Sequence, residues 1–359
     1  MMLRRFSTMS MVLLFVLMST NLFAGKINDD FSLSTTMRYR YWVNDGMMNG
    51  TGNEFKFDRA YITMKYKLAD DIKARFTVDF THKNRYDTGY YPDGTSYKKL
   101  INEGTRSRIK YAYLEFKNFL GVDNVDMIFG NYEQPGPQSY HGTIENSWLD
   151  RYTYDNAVAF PEGFSSAVTG LMATYNLPNK LGYTRLALSN KNTYNYAGDD
   201  NKAKNIGFDL WLHPVEGFTV FGWGIMDYMY SGNNEEHNDA FGGGIEYAVA
   251  DKFDAGVEVD FGRSTIKNAA GDTPSGISYM GYVNYDLNPN LMLLAQAGIH
   301  DADSDVDDDE ITMILGGVNY KIVGSCMLMF NAKAENYKPA PGADSEMDMT
   351  YITQLLIEF

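Results

Sequence analysis

The feature of this sequence that most limits its fold is an alternation of apolar and polar residues with a period of two. From Phe31 to Val43 the odd positions are mostly apolar or aromatic, and the even positions include two Ser, one Thr and two Arg. The same alternation recurs at residues 59–68, 73–80, 206–212, 241–249 and 253–261. Successive side chains of a β-strand point to opposite faces, whereas a helix repeats every 3.6 residues. The pattern therefore predicts strands with one apolar and one polar face.

The connections between these strands alternate in length. Short turns are predicted at residues 69–71, 120–124, 178–180, 214–217, 250–252, 288–290 and 323–325. Longer polar loops are predicted at residues 44–53, 81–105, 133–165, 190–204, 231–238, 265–275, 301–309 and 338–346. Fifteen connections imply sixteen strands, and all 10 Pro fall in the connections. This organisation is typical of an all-β, antiparallel transmembrane β-barrel. A soluble two-sheet sandwich explains the alternation of residues but neither the even strand count nor the alternating connections.

The N-terminus has the layout of a secretory signal peptide. Arg4 and Arg5 precede the apolar run Met11–Met18, and the small residue Ala24 suits a cleavage site. The prediction is a signal peptide at residues 1–24 and one barrel domain at residues 25–359. A short N-terminal anchor helix is the alternative, although the apolar run is too short to span a bilayer.

Composition excludes several other classes. After residue 24 no segment approaches the roughly 18 to 20 apolar residues of a spanning helix, which excludes a helical membrane protein. A single Cys allows neither an internal disulfide nor a zinc ribbon. Because 46 Asp and Glu outnumber 31 Lys and Arg, a nucleic-acid partner is not expected.

Four segments carry a resemblance to a known family. The C-terminal segment YITQLLIEF, residues 351–359, resembles the assembly signal of bacterial outer-membrane barrels. Residues 57–68 (FDRAYITMKYKL), 109–117 (IKYAYLEFK) and 128–135 (IFGNYEQP) resemble porins, especially the phosphate-selective porin group. The resemblance implies a homotrimeric diffusion channel of the Gram-negative outer membrane, with sixteen strands and a third outer loop folded into the lumen. It also implies contact with outer-membrane lipid, lipopolysaccharide and the barrel assembly machinery.

In a closed barrel the polar face of each strand must line an aqueous lumen, which sixteen strands leave open. Glycines on this face, such as Gly242 and Gly244, are expected to widen the lumen locally. Acids are expected on the inward face of the later strands at Asp209, Asp227, Glu246, Asp254, Glu258, Asp260 and Asp286. The first four strands supply the candidate pore-lining bases Arg38, Arg40, Arg59, Lys65, Arg75 and Lys110.

Charge is distributed unevenly along the chain. Residues 26–125 contain 17 Lys and Arg against 13 Asp and Glu, and residues 126–359 contain 12 against 33. An acidic third loop facing a basic wall sets a field across the narrowest section of a pore. We therefore predict a constriction at which loop acids oppose four of the bases. The acids are Glu145, Asp150 and Asp155, and the bases are Arg38, Arg59, Lys65 and Arg75.

The orientation of the fourth predicted strand stays open. Both Ile109-Tyr111-Tyr113 and Ala112-Leu114-Phe116 are apolar enough to face lipid.

The acidic run at residues 301–310 holds seven carboxylates. Carboxylate oxygens suit Ca²⁺, so Asp301, Asp303 and Asp305 are weak candidates for a cation site, with a solvated loop as the alternative.

No enzyme and no cofactor are predicted. The sequence has neither a Gly-x-Ser-x-Gly elbow nor a His-Glu-x-x-His motif, and its five His are widely separated. A Ser-His-Asp site assembled in space stays open. The predicted function is passive diffusion of small hydrophilic solutes and ions. The alternatives are a channel specific for phosphate-like anions and a non-conducting surface barrel for adhesion or cation bridging.

Overall fold

The structure is a computed structural model that describes residues 25–45, 52–82, 85–90, 96–102, 105–136, 167–193, 204–231, 234–250, 252–264, 273, 275–301, 310–337 and 345–358. The strands in these residues are β1 Gly25–Asn28, β2 Phe31–Asp45, β3 Gly52–Lys67, β4 Ile72–His82, β5 Arg85–Tyr90, β6 Ser96–Asn102, β7 Thr105–Phe116, β8 Val125–Tyr132, β9 Val168–Leu177, β10 Gly182–Thr193, β11 Lys204–Val215, β12 Phe218–Ser231, β13 Asn234–Val249, β14 Phe253–Ser264, β15 Ser275–Asn288, β16 Leu291–Asp301, β17 Glu310–Val323, β18 Cys326–Tyr337 and β19 Glu346–Glu358. Two 3₁₀ turns lie at Phe119–Gly121 and Pro178–Lys180.

Sixteen of these strands form one closed antiparallel barrel. Each of β2, β3, β4 and β7–β19 pairs with its neighbour in chain order, and β19 pairs with β2 from Met349 opposite Asp45 to Glu358 opposite Thr36. Strand β1 adds a short pairing to β2. The predicted barrel and its strand count are confirmed.

Two predicted loops differ from the structure. The predicted loop 81–105 contains a separate hairpin of β5 and β6. The predicted loop 231–238 is wrong, because β12 and β13 stay paired as far as Ser231 opposite Asn234. Beyond the apolar band both faces of a hairpin meet water, so the alternation of residues stops while the backbone pairing continues.

The outer face is apolar between two aromatic rims. Exposed aromatic residues near the short turns are Tyr66, Tyr175, Tyr247, Tyr285 and Tyr320. Those nearer the long loops are Tyr39, Phe55, Phe261, Tyr279 and Tyr351. Large aliphatic side chains such as Leu186 and Ile314 are exposed between the rims. This is the girdle and band arrangement that suits a barrel in a bilayer. In the described residues no helix is long and apolar enough to cross a membrane.

Candidate functional site: the lumen wall

The predicted pore-lining bases lie on β2, β3, β4 and β7. Arg38 and Arg40 occupy inward positions of β2, whereas the alternate residue Tyr39 is exposed outside. On the next two strands Lys65 lies directly opposite Arg75. The barrel therefore gathers these bases on one side of the lumen.

The predicted constriction is only partly within the described residues. Arg59 is in register with Arg38, and the structure describes its backbone but not its side chain. The loop acids Glu145, Asp150 and Asp155 lie outside the described residues. Arg59 and Lys65 are six residues apart on β3, which is about 20 Å at ~3.3 Å per residue. The bases therefore occupy two levels of the wall rather than one ring.

Strand β7 contains a β-bulge, at which the alternate residues that face the lumen change from even-numbered to odd-numbered positions. Thr77 of β4 pairs with Tyr111, and Val78 pairs with Ile109, so Lys110 is the extra residue. Because of the bulge, Ile109 and Leu114 are both exposed on the outside. Each of the two alternatives left open by the sequence is thus correct for one part of the strand.

The bulge directs Lys110 into the lumen beside two tyrosines. Its Nζ donates a hydrogen bond of 3.0 Å to the Tyr61 hydroxyl and lies 4.6 Å from the centre of that ring. The same Nζ lies 5.3 Å from the centre of the Tyr111 ring, and the Arg75 guanidinium lies 4.3 Å from it. Cation–π contacts of this kind hold both cations at defined places on the wall.

Two rows of cations face each other across β3 and β4. Lys65 lies opposite Arg75, and Lys67 lies opposite Lys73. We call these four residues the cation block. Like charges directly opposite each other in a sheet are destabilising. The only member with a carboxylate partner in the described chain is Lys67, which forms an ion pair with exposed Asp70 and thereby lowers the pKa of Asp70.

Other bases on this side of the barrel are neutralised. Arg108 donates to Asp79 at 3.0 Å, and the Asp79 side chain is fully buried. Lys117 contacts Glu115 at 2.8 Å and Asp126 at 2.7 Å. The cation block differs from these pairs because, among the described residues, three of its members form no ion pair, although Glu115 of β7 lies directly opposite Lys73.

Acids occupy the inward face of β11 and β13–β15, as predicted. The described acidic side chains are Asp209, Glu246, Asp254, Glu258, Asp260 and Asp286, and Asp227 is described only in its backbone. Glu258 accepts a 3.3 Å hydrogen bond from Trp223 Nε1, and Asp254 accepts one of 3.0 Å from the Tyr282 hydroxyl. The acids are therefore held in side-chain networks of the wall.

An apolar cluster on the inward face is the main feature that sequence reasoning missed. It comprises Trp211, Phe221, Trp223, Ile225, Ala240, Met280, Tyr282, Leu294, Met313 and Leu315 on β11–β17. Trp211 and Phe221 stack at 4.8 Å between ring centres, and Tyr183 stacks on Trp211 at 6.2 Å. These ten residues are buried, so on these strands the inward face carries a packed apolar cluster beside the acids. The segment Phe221-Gly-Trp-Gly-Ile225, with large residues only at odd positions, was the available signal.

The same cluster corrects the prediction for two glycines. A Cβ at Gly242 would lie 2.5 Å from the Trp223 side chain, and a Cβ at Gly244 would lie 2.7 Å from that of Phe221. The two aromatic rings thus occupy the space that these glycines leave. The expectation that Gly242 and Gly244 widen the lumen is wrong.

The chain enters the barrel at the start of the long connection between β8 and β9. Gly136 N donates a 3.1 Å hydrogen bond to Asp209 Oδ2 on the inward face of β11. Gly136 has φ +118°, and a Cβ there would lie 3.4 Å from the Trp223 ring. Asp209 also accepts hydrogen bonds of 3.0 and 2.9 Å from Arg185 Nε. Residues 133–136, which we call the loop neck, therefore lie on the lumen side of the wall.

Metal and catalytic candidates find little support in the described part of the chain. Asp301 ends β16 opposite Glu310 rather than on the inward face, and Asp303 and Asp305 lie outside the described residues. No group of three or more His, Cys, Asp and Glu there could hold a metal. Ser278 Oγ lies 2.7 Å from His300 Nδ1, but both side chains are 1% exposed, so a substrate cannot reach the pair.

Comparisons with known proteins agree on the fold. No family model matches the chain, and no curated protein matches it. The solved structure of OmpF from Salmonella typhi in complex with daunomycin is 12% identical, with a TM-score of 0.62, over 92% of this chain and 97% of that chain. An anion-selective porin from Comamonas acidovorans is 11% identical, with a TM-score of 0.62, over 92% and 99%. A trimer form of OmpT, an outer-membrane protein of Vibrio cholerae, is 11% identical, with a TM-score of 0.60, over 92% and 100%. These likenesses show the fold of outer-membrane barrels.

Proposed function

We propose that this chain is an outer-membrane channel through which small hydrophilic solutes and ions diffuse passively. The observation that carries the proposal is a closed ring of sixteen strands with an apolar outer face and cations on its inward face. The diameter of a barrel grows with its number of strands. The interior of an eight-stranded barrel is filled by side chains, whereas sixteen strands leave room for an aqueous lumen. The anion-selective porin among the structural neighbours supports the same function.

The proposal includes a constriction on the long-loop side of the cation block. Of the four bases predicted there, Arg38 and Arg59 form its basic side together with Arg40 and Lys110, whereas Lys65 and Arg75 belong to the cation block. Glu145, Asp150 and Asp155 form its acidic side, on the connection that begins at the loop neck. The support for this placement is the contact of Gly136 with Asp209, which starts the connection inside the barrel.

Export and assembly follow from the same proposal. Residues 1–24 are a signal peptide removed on export, and the barrel of residues 25–359 is inserted by the barrel assembly machinery among outer-membrane lipid and lipopolysaccharide. A homotrimer is supported by the trimer form of the OmpT neighbour.

The test is to insert the refolded protein into a planar bilayer and measure conductance and reversal potential in a salt gradient. Stable conductance steps are expected. Complete absence of steps from a folded barrel rejects the channel and favours a non-conducting surface barrel for adhesion or cation bridging.

A channel selective for anions is the second candidate, because three bases of the cation block lack carboxylate partners in the described residues. In a potassium chloride gradient, a reversal potential with the sign of the chloride equilibrium potential supports anion selectivity. A reversal potential with the sign of the potassium equilibrium potential rejects it.

A further inference from the structure

A cavity of about 410 Å³ lies at the short-turn mouth of the barrel, next to the cation block. Its lining includes Lys65, Lys73, Arg75 and Tyr113. Cavities of about 300–1,000 Å³ are typical of sites for small organic ligands. This one is therefore large enough for a metabolite and not only for an inorganic ion.

Four bases, Lys65, Lys67, Lys73 and Arg75, and three acids line the cavity, so its wall has a small excess of positive charge. In the described chain Lys65 and Lys73 form no hydrogen bond or ion pair, although Glu115 lies directly opposite Lys73. Arg75 Nε donates to Thr77 Oγ1 at 3.2 Å, and the Arg75 side chain also hydrogen-bonds Tyr113. Glu115 also lines the cavity, but its carboxylate is engaged by Lys117 at 2.8 Å. Asp29 and Asp30, in the turn between β1 and β2, are exposed at its rim.

The spacing of the cations favours two negative groups on one ligand. Directly opposed residues such as Lys65 and Arg75 have Cβ atoms about 4.5–5.5 Å apart. Lys73 and Arg75 are two residues apart on one strand, which is about 6.7 Å. An anion that bridges these side chains offsets the repulsion that the sheet otherwise bears.

We propose that Lys65, Lys73 and Arg75 form a binding site at the short-turn mouth for a small organic anion with two separated carboxylate or phosphate groups. The Tyr113 hydroxyl adds a neutral hydrogen-bonding group to the site. The role of this site in transport rests on the proposed channel function. The binding of the anion does not depend on that function.

The test uses glutarate as the dianion and butyrate as the monoanion of similar size. With chloride carrying the current through a planar bilayer, glutarate added on the short-turn side is expected to block at a concentration at least ~10-fold below that of butyrate. Lys65→Gln and Lys73→Gln are each expected to raise the half-blocking concentration of glutarate by ~10-fold. The matched control Lys67→Gln, whose charge Asp70 already neutralises, is expected to change it by less than ~2-fold.

Equilibrium dialysis of radiolabelled glutarate against the folded protein in detergent separates this inference from the channel itself. Saturable binding that Lys65→Gln and Lys73→Gln weaken supports the site, even if the bilayer experiment shows no conductance and the channel is rejected. Absence of saturable binding, or binding that Lys67→Gln weakens equally, overturns the site.

Discussion

The loop neck and the wall of the barrel meet at Asp209, and the substitution Asp209→Asn tests how this contact is held. The Asp209 side chain is fully buried, and that of Arg185 is 11% exposed. Asparagine keeps an oxygen that can accept from Gly136 N, but it removes the charge that Arg185 requires. Removing one partner of a buried ion pair costs about 3–5 kcal/mol, and the carboxylate of Glu133, which also interacts with Arg185, offsets part of the loss. We therefore expect Asp209→Asn to lower the free energy of unfolding by about 3 kcal/mol.

The assay is equilibrium unfolding by denaturant in lipid vesicles, followed by tryptophan fluorescence. Lys67→Gln is the matched control, since it breaks the Lys67–Asp70 pair, in which both side chains are exposed. That change is expected to have little effect on stability, because water screens an exposed ion pair. The double variant Asp209→Asn with Arg185→Met is expected to recover much of the loss, because both buried charges are then absent. A loss for Asp209→Asn no larger than that for Lys67→Gln contradicts the argument.

Three further predictions use other parts of the wall. Lys65→Gln is expected to raise the free energy of unfolding by about 0.2–1 kcal/mol, because it relieves the repulsion with the opposed base, and a lower unfolding midpoint contradicts this. Gly244→Ala is expected to cost about 1–3 kcal/mol, since its Cβ would lie 2.2 Å from the Val257 carbonyl oxygen, whereas Gly222→Ala, with a nearest atom at 3.8 Å, is the control with little effect. Lys65→Gln together with Lys73→Gln, whose side chains are exposed, is expected to shift the reversal potential toward cation preference, and an unchanged potential removes both bases from the ion path.

The barrel itself was predictable because one face of each strand meets lipid. That requirement makes long stretches such as Phe31–Val43 alternate between apolar and polar residues. The bases on β2–β4 occupy the polar positions, so their inward orientation could be predicted. Reasoning from phase holds only as long as the register is unbroken. At the β-bulge of Lys110 the phase changes, and the only sign of this in the sequence is that both phases of the strand are apolar enough to face lipid.

The composition of the lumen wall was less predictable, since the inward face is not required to be polar everywhere. On β12 the inward residues are large and apolar, and the outward residues Gly222 and Gly224 are small. A glycine can therefore lie on either face, and only its neighbours decide whether it opens space. The burial of Trp223 over Gly242 depends on a cross-strand pairing that the sequence does not state.

The net charge of the chain is a poor guide to the ion selectivity of the lumen, because many of its charges are buried in the wall. The chain has a formal net charge of −15, but acids such as Asp79 and Asp209 are buried and paired with arginines. The apolar cluster on β11–β17 is covered by protein, whereas Lys65 is exposed at the mouth. Ions respond most to charges that face the water they move through, because buried pairs compensate each other locally. If the channel conducts, we therefore expect its path to follow the basic strands β2–β4 and to favour anions despite the acidic composition of the chain.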